Sequence, residues 1–322
     1  MRLALVGCGA IARRVHLPAF RAVGVDMVAF ASGSRLSAEA AAAEWGSGTV
    51  YDGWLDAIAD VDAVAICAPN SLHAPIAIAA AQAGKHVFVE KPMAVTVAEA
   101  DAMIAAADAA GVVLMPAHNA RFAPPFRAAR AAIADGVIGA VTGVRAALGH
   151  PGPEAWSPGA TWFRDPARAG GGALLDLGIH LADVLRAVLD DEVVEVAAML
   201  TDSAPVDDAA HVLLRFTRGA TASLHASWSA RPGPDHQLTV FGTEGTLHVD
   251  AATPLNLLRA SGGGPELLSM PADDVNVCAM FAEAVASGTT PPVTAADGRA
   301  AVAIVAAAYA AASSRRTVPV DS

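Results

Sequence analysis

Near its start the chain reads Leu3-Ala-Leu-Val6 and then, without a break, Gly7-Cys8-Gly9-Ala10-Ile11-Ala12. An apolar run of strand length that passes through G-x-G-x-x-A into alanine-rich sequence prescribes a strand, a tight turn and a helix, in that order. Gly7 permits the turn, Gly9 lets a phosphate approach the backbone, and Ala12 allows helix and strand to pack closely. The helix start beyond them offers free N–H groups and a favourable dipole to an anion. The same alternation continues to about Arg121. Strands are expected over Leu3–Val6, Met27–Ala31, Ala63–Cys67, His86–Glu90 and Val112–Pro116, with helices over Ala10–Val23, Leu36–Trp45, Ser71–Ala83 and Thr96–Ala110. Such alternation requires right-handed crossovers and a parallel sheet covered on both faces. It predicts an α/β Rossmann domain over residues 1–121 that binds a dinucleotide.

Beyond Arg121 the rhythm changes. A helix over Phe126–Ala134 leads into a strand over Ala140–Leu148, and residues 150–172 form an irregular loop rich in Pro, Gly and Trp. A helix then runs to about Leu189. Strands follow over Val193–Leu200, Ala209–Phe216, Ala220–Trp228, Gln237–Phe241 and Thr246–Val249, joined by short turns, before helices near Asp273–Ala286 and Ala295–Ser313. Consecutive strands with tight turns predict an α+β domain over 122–322, with an open-faced, mostly antiparallel sheet. The uncovered sheet face calls for a second subunit, so a homodimer or homotetramer through the C-terminal sheet is expected.

Of the 322 residues, 54% are hydrophobic, which raises the question of a membrane span. The most apolar run, Ala300–Ala312, is bracketed by Arg299 and by Arg315 and Arg316 and falls short of the ~20 residues a span needs, so a packing helix is expected and no membrane. No basic segment followed by a long apolar core opens the chain, so no secretory signal is read there and a cytoplasmic protein is expected. Cys8, Cys67 and Cys278 are widely spaced and odd in number, which suits buried thiols in a reducing compartment. A net charge of −11 without a basic stripe argues against a nucleic-acid partner.

The second strand decides between NAD and NADP. An acid at its tip binds the ribose 2′-hydroxyl of NAD. Asp26 has nearly the right spacing but precedes the strand, at the wrong end of the sheet. The tip itself reads Ala31-Ser32-Gly33-Ser34-Arg35. Ser32, Ser34 and Arg35 suit a 2′-phosphate and favour NADP, with NAD as the alternative if they form a plain turn with a helix-capping serine.

Two segments carry candidate chemistry. In His86-Val-Phe-Val-Glu-Lys-Pro92, Glu90 and Lys91 stand at the carboxyl end of the fourth expected strand, where ligands bind in open α/β sheets. Pro92 biases Lys91 away from helical geometry, and an ammonium there can hydrogen-bond a substrate hydroxyl. In Gly170-Gly-Gly-Ala-Leu-Leu-Asp176-Leu-Gly-Ile-His180, Asp176 and His180 share one helix face. A carboxylate beside an imidazole is the arrangement of a base that works near neutral pH. Asp176, His180 and Asp183 would make a poor metal face, with no His or Cys cluster nearby. His211, His225, His236 and His248 stand singly and read as structural. Trp156 and Trp162 suit either a sugar ring or loop packing.

Taken together, Gly7–Ala12, Glu90-Lys91-Pro92 and Gly170–His180 resemble the glucose–fructose oxidoreductase, inositol dehydrogenase and rhizopine-catabolism family (Gfo/Idh/MocA). The resemblance extends to Ala68-Pro69-Asn70-Ser-Leu-His73, His118-Asn119-Ala-Arg121-Phe122, Trp162-Phe-Arg164 and Gly242-Thr-Glu-Gly-Thr246. It implies a Rossmann domain followed by an open-faced sheet domain, with catalysis in the cleft between them. Lys91, Asp176 and His180 match the catalytic trio. Pro69, Asn70, His73, Glu90 and Asn119 match positions lining the cofactor, and Trp162 and Arg164 lie on a loop closing over it. The implied activity is hydride transfer between NADP and a secondary hydroxyl or ketone of a small substrate, a sugar, sugar derivative or cyclitol. Ser32 stands where the family usually has an acid, which supports NADP. Two other functions fit the same fold: a non-enzymatic dinucleotide-sensing regulator, and a reductase of a non-carbohydrate substrate such as a dihydrodiol.

Overall fold

The computed structural model describes residues 1–201, 205–230, 235–250, 253–259, 264–272 and 275–321. The chain divides into two units. The first comprises Met1–His118, Trp156–Gly170 and Asn276–Val302, the second Asn119–Ala155, Gly171–Val275 and Ala303–Ser322.

In the first unit six parallel strands, β1 (Arg2–Val6), β2 (Asp26–Ala31), β3 (Thr49–Tyr51), β4 (Ala63–Ile66), β5 (His86–Val89) and β6 (Leu114–Pro116), stand in the order β3-β2-β1-β4-β5-β6. The order reverses between β1 and β4, which makes the carboxyl ends of these two strands the switch point where ligands bind in such sheets. Their apolar runs serve both faces: Leu3–Val6 and Ala63–Ile66 are at most 3% exposed. β3 was not expected, because three residues after Gly46 and Gly48 carry no period, and they become a strand only by pairing with Ala29–Ala31. Helices α1 (Leu17–Val23), α2 (Arg35–Trp45), α3 (Trp54–Ala57), α4 (His73–Gln82) and α5 (Val97–Ala110) fill the crossovers. Thr96 and Glu99 form a reciprocal capping box at the start of α5, and Gly111 ends it in the left-handed region. The first helix departs from expectation: it opens with a π-helical turn, Ala12–His16, before α1 begins. Such turns occur preferentially at functional sites.

Beyond β6 the elements are α6 (Pro124–Ala134), β7 (Val141–Gly149), α7 (Pro166–Ala169), α8 (Ile179–Leu189), β8 (Val193–Leu200), β9 (Ala209–Phe216), β10 (Thr221–Ser227), β11 (Asp235–Gly242), β12 (Gly245–Asp250), β13 (Thr253–Arg259), β14 (Glu266–Leu267), α9 (Val277–Ser287), α10 (Ala295–Ser314) and β15 (Val318–Pro319). α9 starts at Val277 because the Asn276 side chain caps it, accepting the N–H groups of Cys278 and Ala279. Asp273, where that helix was expected to begin, lies outside the described residues. By length and mean hydropathy α10 could cross a bilayer. Its Ala301–Val305 stretch is instead at most 3% exposed within the protein.

The second unit is built on a nine-stranded sheet ordered β14-β13-β12-β11-β7-β10-β9-β8-β15. β7 separates β10 from β11, and β7 with β10 is the parallel pair in an otherwise antiparallel ladder. Alternation is clean in β9, where Ala210, Val212, Leu214 and Phe216 are buried while His211, Leu213 and Arg215 face outward. The helix toward α8 also opens with a π-helical turn, Leu174–Gly178.

The glycines before that turn are explained by a buried acid. Asp207 accepts the Gly172 N–H (2.9 Å) and the Tyr309 hydroxyl (2.8 Å) on Oδ1, and the Leu174 N–H (2.8 Å) on Oδ2. The Ala173 N–H donates to the Asp207 carbonyl. A Cβ on Gly172 would stand 1.9 Å from that carbonyl oxygen, and one on Gly171 2.3 Å from the Tyr309 hydroxyl. Close approach, by the Asp207 backbone at Gly172 and by the Tyr309 hydroxyl at Gly171, and no unusual φ, demands glycine at these two positions. Asp207→Asn is expected to cost about 2–4 kcal/mol, read as a fall in Tm of roughly 5–10 °C. An unchanged Tm would contradict the anchoring role.

Candidate active site

Four loops of the first unit leave the carboxyl edge of its sheet. After β1 the chain turns at Gly7 with φ +92°, and a Cβ there would stand 2.3 Å from the Cys67 carbonyl carbon. Gly9 faces the other way, with nothing within 4 Å of its would-be Cβ. A cavity of about 510 Å³ lies there, lined by Gly9, Ala10, Arg13, Arg14 and Ser37 and by residues 157–160. Arg13 forks onto Glu44, and Arg14 donates to the Trp156 carbonyl oxygen at 2.8 Å. Exposed backbone beside two guanidinium groups fits the pyrophosphate of a dinucleotide. Ile11 and Ala12 continue into the π turn, Ala12 fully buried. Arg13 and Arg14 escaped the sequence reading, although adjacent arginines after G-x-G-x-x-A were a visible signal.

At the tip of β2, Ser32 Oγ accepts the Cys8 N–H (3.4 Å), which ties this loop to the glycine turn. Ser34 caps α2 by accepting the Ser37 N–H. Arg35 is paired with Glu39 (2.9 Å) and with Asp52 (2.5 Å), just past β3. Asp26 begins β2, at the opposite end of the strand.

After β4, Pro69 leads into a short 3-10 turn, Asn70–Leu72. The buried Asn70 amide donates to the Ala169 carbonyl (2.8 Å), so it fastens the segment that carries Trp162 and Arg164. In that segment Phe163 lies between the two tryptophans, stacked on Trp162 at 3.8 Å and edge-on to Trp156 at 5.3 Å. His73 is 1% exposed, with Nδ1 2.8 Å from the Pro92 carbonyl and Nε2 2.9 Å from the Ala68 carbonyl. Burial depresses its pKa, against the pull of those two carbonyls.

After β5, Glu90 points inward. Its Oε1 meets Nε2 of the buried His16 at 2.5 Å, and its Oε2 accepts the Lys91 N–H at 3.0 Å. Burial alone would raise its pKa. The His16 hydrogen bond and the charges of His16, Lys91 and His73 outweigh it and hold the carboxyl below its ordinary value. Lys91 is half-buried in the bend beyond the strand, followed by a cis bond to Pro92. Asn70, His73 and Glu90, expected to line the cofactor, thus bond to backbone groups and to His16. Burial also pushes up the three thiols, Cys8 to about 12.

The second unit holds Asn119, exposed before a 3-10 turn, together with Asp176 and His180. Asp176 sits in the π turn and is 7% exposed. Its Oδ2 accepts the Trp228 indole N–H at 2.9 Å and lies 3.5 Å from His150 Nε2. His180 is half-buried at the start of α8. Asp183 does not join them: Arg121 grips both its oxygens. Among the remaining histidines, the His211 and His225 rings stack at 4.3 Å on the outward face of the sheet, and His248 lies 3.4 Å from Thr239 Oγ1. The His236 side chain lies outside the described residues. His150 and Trp228 also escaped the sequence reading, since each is a lone residue at a strand end.

Residues 1–118 match a family described as an oxidoreductase family with an NAD-binding Rossmann fold, and residues 126–248 match the GFO/IDH/MocA C-terminal domain. The chain is 34% identical over 315 residues to 1,5-anhydro-D-fructose reductase of Ensifer adhaerens, covering 92% of each. The chain belongs to the GFO/IDH/MocA family of oxidoreductases. It is also 32% identical over 270 residues to myo-inositol 2-dehydrogenase of Thermotoga maritima, covering 79% of this chain and 78% of the relative. Among solved family structures, levoglucosan dehydrogenase in complex with NADH and levoglucosan superposes over the full length of both chains with a TM-score of 0.89 at 27% identity. The Rossmann domain and the mostly antiparallel sheet expected from sequence are therefore those of a GFO/IDH/MocA oxidoreductase.

His73 makes part of the stability of this family member pH-dependent. Its folded pKa lies below the ordinary 6.5. The unfolded chain therefore binds the proton first, and the stabilisation is complete above that value and lost as the pH falls from there through the folded pKa. The urea midpoint should drop between pH 7.5 and 5.5, and His73→Asn should flatten that slope. An identical slope in the variant would contradict the assignment.

Proposed function

We propose that this oxidoreductase transfers hydride between a nicotinamide cofactor and a secondary hydroxyl or ketone of a sugar, sugar derivative or cyclitol, as a cytoplasmic homo-oligomer. The observation that carries the reading is the buried support beneath each reacting group: Glu90 under the Lys91 backbone, and the Asp207 cradle and Trp228 around Asp176. The names of the relatives, which act on an anhydrosugar and an inositol, supply the substrate class.

When bound, the cofactor supplies or accepts the hydride. Gly7, Gly9, Ala10, Ile11 and Ala12 would hold its pyrophosphate, with Arg13 and Arg14 beside them. His180 takes the proton of the substrate hydroxyl in oxidation and returns it to the oxygen in reduction. Asp176 orients that imidazole and balances the charge it gains. The Lys91 ammonium is suited to donate a hydrogen bond to a substrate oxygen, favouring the alkoxide over the alcohol. With myo-inositol, levoglucosan and 1,5-anhydro-D-fructose as a panel, Lys91→Ala should lower kcat by about 10²–10⁴-fold while cofactor binding stays within a few-fold. A non-enzymatic sensor would show no turnover before or after the change. Turnover within a few-fold of the parent would remove Lys91 from the mechanism.

NADP is the proposed cofactor. Ser32, Ser34 and Arg35 supply hydroxyls and a cation where no acid ends β2. The pairs that Arg35 makes with Glu39 and Asp52 are more than 45% exposed, and exposed pairs are worth no more than about 1 kcal/mol. A 2′-phosphate can take the guanidinium from them. In a fluorescence titration NADPH should bind about ten-fold tighter than NADH, and Arg35→Ala should erase the difference. Tighter NADH binding would make Ser32–Arg35 an ordinary turn and cap.

The outward face of the second sheet supports the oligomer: Met199 is 78% exposed and Leu213 61%. Met199→Arg with Leu213→Arg should shift sedimentation from oligomer to monomer. A parent protein that sediments as a monomer at micromolar concentration would refute this part.

A further inference from the structure

β7 and β10 run parallel, with Leu148 opposite Ala226 and Gly149 opposite Ser227. Both therefore end at one edge, and the next residues, His150 and Trp228, stand level there. The His150 N–H donates to the Ser227 carbonyl at 3.0 Å, which extends the ladder by one residue. The π turn that carries Asp176 packs against this end of β10. Gly178 faces Ala226 at this contact, where a Cβ on the glycine would stand 3.8 Å from the Ala226 Cβ.

Asp176 thus meets two donors from two strand ends. The Trp228 indole, 4% exposed, donates to Oδ2 at 2.9 Å, as a buried indole N–H must find an acceptor. His150 Nε2 lies 3.5 Å from the same oxygen. Its Nδ1 accepts the Gly152 N–H at 3.0 Å, so the neutral ring carries its proton on Nε2, facing the carboxylate. At 3.5 Å the contact is longer than an ordinary hydrogen bond, and it acts through the charge of the carboxylate and the N–H dipole of the ring.

We propose that His150 and Trp228 are positioning residues, which hold Asp176 ionised and set the rotation of its carboxylate toward His180. The proposal rests on the reading of Asp176 and His180 as the acid/base pair. Burial opposes the carboxylate form, and donors to it favour that form. Losing either donor therefore raises the proton affinity of Asp176 and lets its carboxylate turn. Among the described residues, the ionisable groups on the elements packed with it include His150 from the end of β7, His180 further along its own helix and Asp207, bonded to the backbone that opens that helix, while β10 contributes a neutral indole.

The test reads Asp176 directly. Indole-¹⁵N spectra of the full chain, assigned by Trp228→Phe, should show the Trp228 N–H moving in one acidic step that disappears in Asp176→Asn. His150→Phe should move this step to higher pH, and His150→Gln, which keeps a donor, should leave it near the parent. With the best substrate of the panel, Trp228→Phe and His150→Phe should each lower kcat about ten-fold with cofactor KM within two-fold, and should move the acidic limb of the kcat profile upward. An indole signal indifferent to Asp176→Asn, or variants with parental kcat and pH profile, would overturn the proposal. Full turnover by Asp176→Asn would instead overturn the acid/base reading itself, and the positioning role with it.

Discussion

Glu90 is a carboxylate at the end of a strand whose Val87, Phe88 and Val89 are wholly buried, and solvent reaches little of it. A buried carboxylate costs several kcal/mol unless its oxygens are satisfied. Here one oxygen takes the imidazole of His16, from the π turn that follows the glycine loop, and the other takes the backbone N–H of Lys91. The acid therefore locks the cofactor turn and the lysine loop to each other. His73 repeats the device nearby, holding the loops after β4 and β5 by their carbonyls. The polar groups at this edge spend their hydrogen bonds on backbone geometry, and the Lys91 backbone inherits that rigidity.

The second unit solves the same problem with different parts. Asp207 gathers the N–H groups that open the Asp176 helix; its backbone passes too close to Gly172 for a side chain there, and the Tyr309 hydroxyl it holds does the same at Gly171. The insertion of β7 beside β10 creates a parallel pair in an antiparallel sheet, and parallel strands bring two chain ends to one edge. In both units the candidate chemistry therefore sits where parallel strands end. A π-helical turn begins each of the helices involved, so both helices depart from regular geometry at the candidate residues.

Much of this was legible in the sequence. Strand–helix alternation and the G-x-G-x-x-A turn carry local signals, so the Rossmann sheet was readable to within a residue or two at most strand ends. Lys91, Asp176 and His180 stood out because proline and glycine punctuate their surroundings. What could not be read depends on long-range register. β3 has no period of its own, and the place of β7 between β10 and β11 follows from pairing over nearly a hundred residues. His150 and Trp228 acquire meaning only once that register aligns their strand ends. The partners of Arg35 are exposed acids from α2 and from the end of β3, and nothing local marks them. Asn70, His73 and Glu90 were expected to line the cofactor, and their bonds to backbone carbonyls, a backbone N–H and a neighbouring imidazole come from loops that only the fold brings together.

The central claim is that this chain moves hydride to and from a carbinol carbon. The most direct test incubates the purified protein with NADPH deuterated at C4 of the nicotinamide and 1,5-anhydro-D-fructose, and follows the label by mass spectrometry. Deuterium arriving on the carbinol carbon of the product, at a rate about 10²–10⁴-fold lower when Lys91 is replaced by Ala, is the predicted result. Product formed without the label, or no transfer from either C4 face of NADPH or NADH to any member of the substrate panel, would contradict the account.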